Sequence, residues 1–318
     1  MDSGGSMGKV RLDEVGYWSE IKLDIVRKYA TAYSKILRKW DLSRGHVYID
    51  AFAGAGVHIS KRTGAYIPGS PLNALNVDPP FSEFYFIDLD GGRAEALRSL
   101  AGPQENVFVY EGDCNVVLLR EVFPRTRYEA YRRALCLLDP YGLHLDWEVV
   151  RTAGQMESVE VFLNFPVMDI HMNVLWRNPD KVQESQVRRM DAFWGDASWR
   201  DVAYARTPGL FGDIEEKEDI GVVVKAYQKR LRDIAGFRFV PEPMPMRNTQ
   251  GVRVNRDPKA SGVVPLPHRL KAQSHPLCIA VPAAEADLGA PCHRVPSGFS
   301  PLDGRVSRHW EVPSSGTS

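Results

Sequence analysis

The chain has 318 residues, 44% hydrophobic and 25% charged, the balance of an ordinary soluble globular protein with length for one α/β domain plus additions. Forty basic side chains match forty acidic ones, so the totals give no support for tight non-specific binding to nucleic acid, although a local basic patch is compatible with them. The four cysteines, Cys114, Cys136, Cys278 and Cys292, lack C-x-x-C spacing, which argues against a zinc site or a disulfide framework and for a reducing compartment.

No apolar run approaches the roughly 18 residues of a membrane span, and no signal peptide opens the chain, so a cytoplasmic protein without membrane contact is expected. Residues 1 to 16 read as a flexible leader, with Met-Asp-Ser-Gly-Gly-Ser before Met7 resembling a cloning remnant. Residues 17 to 40 carry a helical period. Tyr17, Ile21, Ile25, Tyr29, Tyr33 and Ile36 to Leu37 fall near one face and Lys22, Lys28, Lys35 and Lys39 off it. This helix is expected to pack across a sheet edge, with Trp18 or Lys22 as candidates to reach a ligand.

Residues 46 to 56, His-Val-Tyr-Ile-Asp-Ala-Phe-Ala-Gly-Ala-Gly, organise the rest of the chain. Val47 to Ile49 read as a strand buried on both faces, ending at Asp50. The small residues after it, with Gly54 and Gly56, allow a backbone to approach a ligand closely. Strand, carboxylate and glycine turn make the first βα unit of a nucleotide-binding sheet, where ligands sit at the carboxyl ends of the strands. The third glycine of a dinucleotide fingerprint is missing, which argues against a Rossmann oxidoreductase, and no Gly-Lys-Ser/Thr comes after it. Asp50 in the loop favours a cationic ligand over a phosphate, and S-adenosylmethionine is such a ligand.

Residues 57 to 71 read as a rigid loop ending Tyr66-Ile-Pro-Gly-Ser-Pro71, with Ser70 capping a helix that begins at Leu72 to Val77. A second strand, Phe84 to Asp90, ends in Asp88 and Asp90, and the helix Arg93 to Leu100 comes next. Val107 to Tyr110 leads to Asp113, Leu135 to Leu138 to Asp139, and Val159 to Phe165 forms a fifth strand. The alternation predicts an α/β, doubly wound, mostly parallel Rossmann-like sheet. A single strand-end Asp is usually a helix cap; four in register are harder to explain that way. Residues 169 to 236 read as a helical insertion rich in Trp, either a substrate subdomain or a plain cover for one sheet face. Phe237 to Met246 is expected as a sixth, edge-type strand because of its prolines, with residues 237 to 251 closing the sheet.

The order Asp50-x-x-x-Gly-x-Gly, Asp88, Asp113 and Asp139-Pro140-Tyr141-Gly142 resembles class I S-adenosylmethionine-dependent methyltransferases. The likeness implies Asp50 near the methionine ammonium, Asp88 or Asp90 on the ribose hydroxyls and Asp113 on the adenine amine. Lys22, Phe52, Gly54, Gly56, Ser70 and Cys114 complete the expected cofactor-binding set. Asp139-Pro-Tyr-Gly142 resembles the D-P-P-Y motif of amino-methyltransferases, which implies a catalytic Asp139, Pro140 and Tyr141 holding an exocyclic amine, the aromatic one place early and the second Pro absent. Tyr48 to Gly56 and Pro68-Gly-Ser-Pro-Leu72 are also similar to adenine-N6 methyltransferases of large-subunit ribosomal RNA.

Residues 17 to about 250 resemble the bacterial three-Cys-motif partner family more closely. The matching stretches are the Trp18 to Tyr33 helix with Lys22, Tyr48 to Gly54, Pro68 to Leu72, Leu138 to Gly142, Leu163-Asn-Phe-Pro166 and Met244 to Asn248. That family implies a methyltransferase domain working with a three-Cys-motif protein encoded nearby. Its members continue into an aromatic strand that pairs antiparallel with the sixth; residues 252 to 318 show nothing like it and are expected to be out of frame or replaced, and disordered. The expected function is methyl transfer to a nucleobase amine of RNA or DNA. A methyltransferase-like binding module without activity is the alternative. No metal is expected. Arg125, Arg127, Arg132, Arg133, Arg188 and Arg189 are candidates to face a phosphate backbone.

Overall fold

The computed structural model describes residues 12–39, 45–209, 212–245 and 277–281. In chain order it begins with β1 (Glu14–Val15) and α1 (Tyr17–Lys39), then β2 (His46–Asp50), β3 (Val57–Ser60), β4 (Tyr66–Pro68) and α2 (Ser70–Leu75). β5 (Glu83–Asp88), α3 (Gly91–Ala101), β6 (Val107–Glu111), α4 (Cys114–Val117), β7 (Arg133–Leu138), α5 (Trp147–Gln155) and β8 (Val159–Phe165) complete the alternating core. After it come α6 (Val167–Asp169), α7 (Glu184–Trp194), α8 (Trp199–Ala203), β9 (Tyr204–Gly209), β10 (Gly212–Lys217), α9 (Ile220–Asp233), β11 (Met244–Pro245) and β12 (Leu277–Val281).

The main sheet runs β11-β12-β8-β7-β2-β5-β6. Its five central strands are parallel, and β12 lies antiparallel to both β8 and β11. This is the expected doubly wound, mostly parallel fold. Unbroken apolar runs produce it, because both faces are covered. One layer joins Val47, Ile49, Cys136, Val161 and Phe165 to α4, α5, α7 and α9. The other joins Tyr48, Phe84, Phe86, Leu135, Leu137 and Phe162 to α1, α2 and α3.

Several expectations change. α1 lies over the middle of the sheet, not its edge, and buries Leu23, Val26, Ala30, Tyr33 and Ser34. The predicted stripe holds in its middle, where Ile25, Tyr29, Tyr33 and Leu37 pack on the core, and fails toward the helix ends, where Tyr17 and Ile36 are exposed. Residues 57 to 71 are not a plain loop, because β3 and β4 pair antiparallel and β1 adds a parallel third strand. The leader reading covers residues 12–16 wrongly, since β1 sits there; residues 1–11 lie outside the described part. α2 starts earlier than predicted, its cap position being Gly69 rather than Ser70.

The expected sixth strand contracts to Met244–Pro245, because prolines at 241, 243 and 245 remove the amides a longer ladder needs. β12 then occupies the place of the antiparallel strand. The tail is therefore not without a strand, and Leu-Cys-Ile-Ala-Val fills it with an aliphatic rather than an aromatic run. The remainder of residues 252–318 lies outside the described part. The insertion is not purely helical either: β9 and β10 form an antiparallel hairpin. Trp194 and Trp199, each 1% exposed, pack with Phe193 and Tyr227 into the layer under the sheet, as a plain cover does. Among the described residues no helix is long and apolar enough to cross a membrane.

Candidate functional site

β2 delivers Asp50 to the centre of the carboxyl ends with 0% exposure. Oδ1 accepts from the Phe52 amide at 3.2 Å, while Oδ2 is buried with no well-formed hydrogen bond, the Ser70 hydroxyl being the donor near this carboxylate. Burial lifts its pKa to about 7. The Ser70 hydroxyl and the Phe52 amide oppose that shift, and the neighbouring Asp139 and Asp88 add to it. The turn beyond is pinned from both flanks, Ala51 N to Leu137 O and Ala53 N to Ile87 O. Gly54, at φ +65°, has open space where a side chain would stand, which is what a ligand-facing backbone requires. Gly56, at φ +82°, lets α3 close in; a Cβ there would meet Leu97 at 2.9 Å.

The acids expected on one ligand sit on four adjacent strands, in the order Asp139, Asp50, Asp88, Asp113 across β7, β2, β5 and β6. Their partners differ. Asp88 Oδ2 accepts from Gly54 N and Oδ1 from Asp90 N, both at 2.8 Å, so this carboxylate holds the two turns in place. Asp90 caps α3 by accepting from Arg93 N. Asp113 caps α4 through Asn115 N and also lines a cavity of about 420 Å³ with Leu143, His144, Asp146 and Arg189. Cys114 is buried at the start of α4. Burial and the nearby Asp113 push its thiol up to about 12, so it stays protonated at neutral pH.

Asp139 is the most heavily engaged. Lys22 Nζ, reaching over from α1, stands 2.5 Å from Oδ2, and Asn164 Nδ2 donates to Oδ1 at 2.7 Å. That bond fixes the amide's orientation, and Asn164 Oδ1 is left buried with no partner at 7% residue exposure. Pro140 is buried and Tyr141 is 71% exposed, its hydroxyl 3.3 Å from Asp13 Oδ2. Asp13 also binds Arg93 at 2.9 Å, so residues just before β1 span from α3 to the Asp139 loop. Gly142 is required for space: a Cβ would lie 2.3 Å from Asp169 Oδ2. That oxygen accepts from Leu143 N and from Arg189, both at 2.7 Å.

Sequence reasoning assigned no role to Asp13, Arg93, Asn164 or Asp169. Asn164 alone carried a signal, as the one uncharged polar residue in an otherwise apolar strand apart from Glu160. The arginines do not form one patch. Arg132 pairs with Glu83 and Arg133 stacks on Tyr128 at the start of β7, the end opposite Asp139. Arg188 pairs with Glu184 and Arg189 with Asp169. Among the described residues no group of three or more His, Cys, Asp or Glu side chains is arranged to hold a metal.

The buried Asp50 Oδ2 and Asn164 Oδ1 ask for hydrogen-bond donors, since each orphaned acceptor costs about 1–3 kcal/mol. With Asp88 and Asp139 beside them, the acceptor set fits a cationic, amine-bearing ligand and repels phosphate. No family model matches the sequence, and no curated protein matches it. Among solved structures, protein LPL1258 of Legionella pneumophila, of family model DUF519, is 15% identical with TM-score 0.34 over 65% of this chain and 91% of its own. Trm1 of Pyrococcus horikoshii, solved with S-adenosyl-L-methionine, is 10% identical with TM-score 0.35 over 80% of this chain and 55% of its own. A protein of Thermobifida fusca named as a methyltransferase is 15% identical with TM-score 0.35, over 83% and 82%. Likeness at this level carries no weight for function. The fold rests on the sheet order.

Proposed function

We propose that the chain is a class I S-adenosylmethionine-dependent methyltransferase acting on an amino group of a nucleobase in RNA or DNA. The observation that supports this best is Asp50: a fully buried carboxylate, one oxygen of which has no well-formed hydrogen bond, at the tip of the central strand and beside Gly54, where a Cβ would meet open space. When bound, S-adenosylmethionine supplies the reactive sulfonium methyl. The residues of this chain bind and orient. Asp50 attracts the ammonium, Asp113 takes the adenine amine, and Asp88 stiffens the turn through its two backbone contacts. Asp139, positioned by Asn164, accepts from the acceptor's amine and so aims its lone pair, with Tyr141 exposed and able to stack on the base.

Calorimetry with S-adenosylmethionine and with NAD tests the cofactor. Binding of the first is expected, lost in Asp50→Ala and weakened in Asp113→Ala. Labelled-methyl transfer onto RNA, DNA and protein extracts then identifies the acceptor, and Asp139→Ala is expected to spare binding while abolishing transfer. Full turnover by that variant refutes the assignment. A second reading, a methyltransferase-like module serving a three-Cys-motif protein without activity, is favoured by one observation: both oxygens of Asp139 already hold side-chain donors.

A further inference from the structure

The contact that favours the inactive reading has another interpretation. We propose that residues 12–22 form an autoinhibitory strap whose Lys22 ammonium fills the place at Asp139 that an incoming donor needs. The proposal rests on the strand tips being a methionine-cofactor site. It also replaces the expected role of Lys22 as a cofactor ligand.

Three observations support it. First, Lys22 Nζ lies 2.5 Å from Asp139 Oδ2, so an ammonium from the chain itself already neutralises the acid at the mouth of the site. Second, the segment that carries Lys22 is fastened differently from the rest of α1. None of residues 12–22 is fully buried, and the first buried side chain is Leu23. Trp18 packs partly buried against the apolar layer, and polar links add to it: Asp13 to Arg93 and Tyr141, Glu20 to Ser60 at 2.6 Å, Ile59 N to Asp13 O, and Lys61 N to Val15 O. Such links near the surface hold weakly and exchange readily for water. Beyond Leu23 the helix is anchored in an apolar layer that does not let go so easily.

Third, unsatisfied acceptors lie in the same group of side chains. Asn164, which shares Asp139 with Lys22, and Asp50 each keep a buried oxygen with no well-formed hydrogen bond, an arrangement that a ligand improves and the Lys22 contact does not. Charge keeps the closed state in place, because Lys22 faces Asp139 with Asp50 and Asp88 close behind. A cationic ligand offers the same acids the same charge and adds donors for the orphaned oxygens. If the closed form holds about nine-tenths of the molecules, apparent affinity falls about tenfold below that of the open form.

The test uses the full chain, with S-adenosylhomocysteine as the calorimetric probe and amide hydrogen exchange on the unliganded protein. Lys22→Met keeps the aliphatic stem and removes the charge. Asp13→Asn loosens the strap without touching Asp139, and so covers a folding defect in the first variant. Each is expected to bind the probe about three- to tenfold more tightly than the wild type. The double variant should gain no more than the better single one, because both release the same segment. The amides of Ile59 and Lys61 should exchange faster in each. If the wild type binds and Lys22→Met binds equally or more weakly, the strap is overturned and Lys22 is a bystander or a ligand contact. Unchanged exchange at Ile59 and Lys61 also overturns it. If no form binds the probe, the cofactor reading falls and the strap falls with it.

Discussion

Asp50 links burial to pH. An unfolded Asp titrates near 3.9, whereas the folded group titrates at about 7, so between these values the native state holds a proton that the unfolded state has lost. Stability of the unliganded protein therefore falls as pH rises through that window. Glu160, partly buried on β8 where Tyr29 donates to it, is likewise raised by desolvation to about 7 and adds to the slope. Thermal melts at pH 5 and pH 8 should show a drop in Tm that Asp50→Asn reduces but does not remove. Binding of a cationic ligand carries the opposite sign, because it needs Asp50 ionised: affinity should climb with pH up to about 7, approaching tenfold per unit below it. Asp169 shifts the other way. Burial raises it, but the Asn173 amide, the Leu143 amide and Arg189 together hold it below the ordinary carboxylate range. Its support of the Gly142 loop is present above the unfolded pKa and lost as pH falls through the folded one. Gly142→Ala places a methyl against that same carboxylate and should cost about 1–3 kcal/mol in thermal unfolding. Residues of this kind are unreadable in a sequence, since Asp169 meets Gly142 only through the fold. The place of Asp50 was readable, because a carboxylate that closes an unbroken apolar run falls at the carboxyl end of its strand.

Elements were legible where their runs were long. The five parallel strands and α1, α3 and α9 arise from unbroken apolar stretches or strong periodicity. The β3–β4 hairpin did not, since Val57-His-Ile-Ser60 is short and polar, and only Thr63-Gly64 marked its turn. β12 was missed for a different reason: Leu277–Val281 lies more than thirty residues beyond β11 and gains its identity by pairing with β8. Ending the chain at Gly251 should strip that edge and leave β8 unpaired on one side. A lower Tm and concentration-dependent aggregation in light scattering are expected, and a truncated chain that melts like the full one would contradict β12. Trp199→Ala, from a fully packed position, should cost about 3–5 kcal/mol in denaturant unfolding.

For the whole molecule, zero formal charge and the placement of the candidate arginines mean that the proposed nucleic-acid substrate would be held by few phosphate contacts. Of the candidate arginines, Arg132 and Arg133 lie at the far end of β7, whereas Arg188 and Arg189 line the same cavity as Asp113. About two phosphate contacts give a plot of log K against log salt with a slope near −2, and filter binding across a salt series should find that shallow dependence. A slope several times steeper would place the strand on a different surface. Motion is also unevenly distributed. Residues 184–233 share one oily interior with the sheet through Phe193, Trp194, Trp199 and Tyr227, and cannot swing as a hinged flap without tearing that interior open. If residues 12–22 act as the proposed strap, opening of the strand-tip site falls to the opposite flank, and a ligand would enter from the N-terminal side.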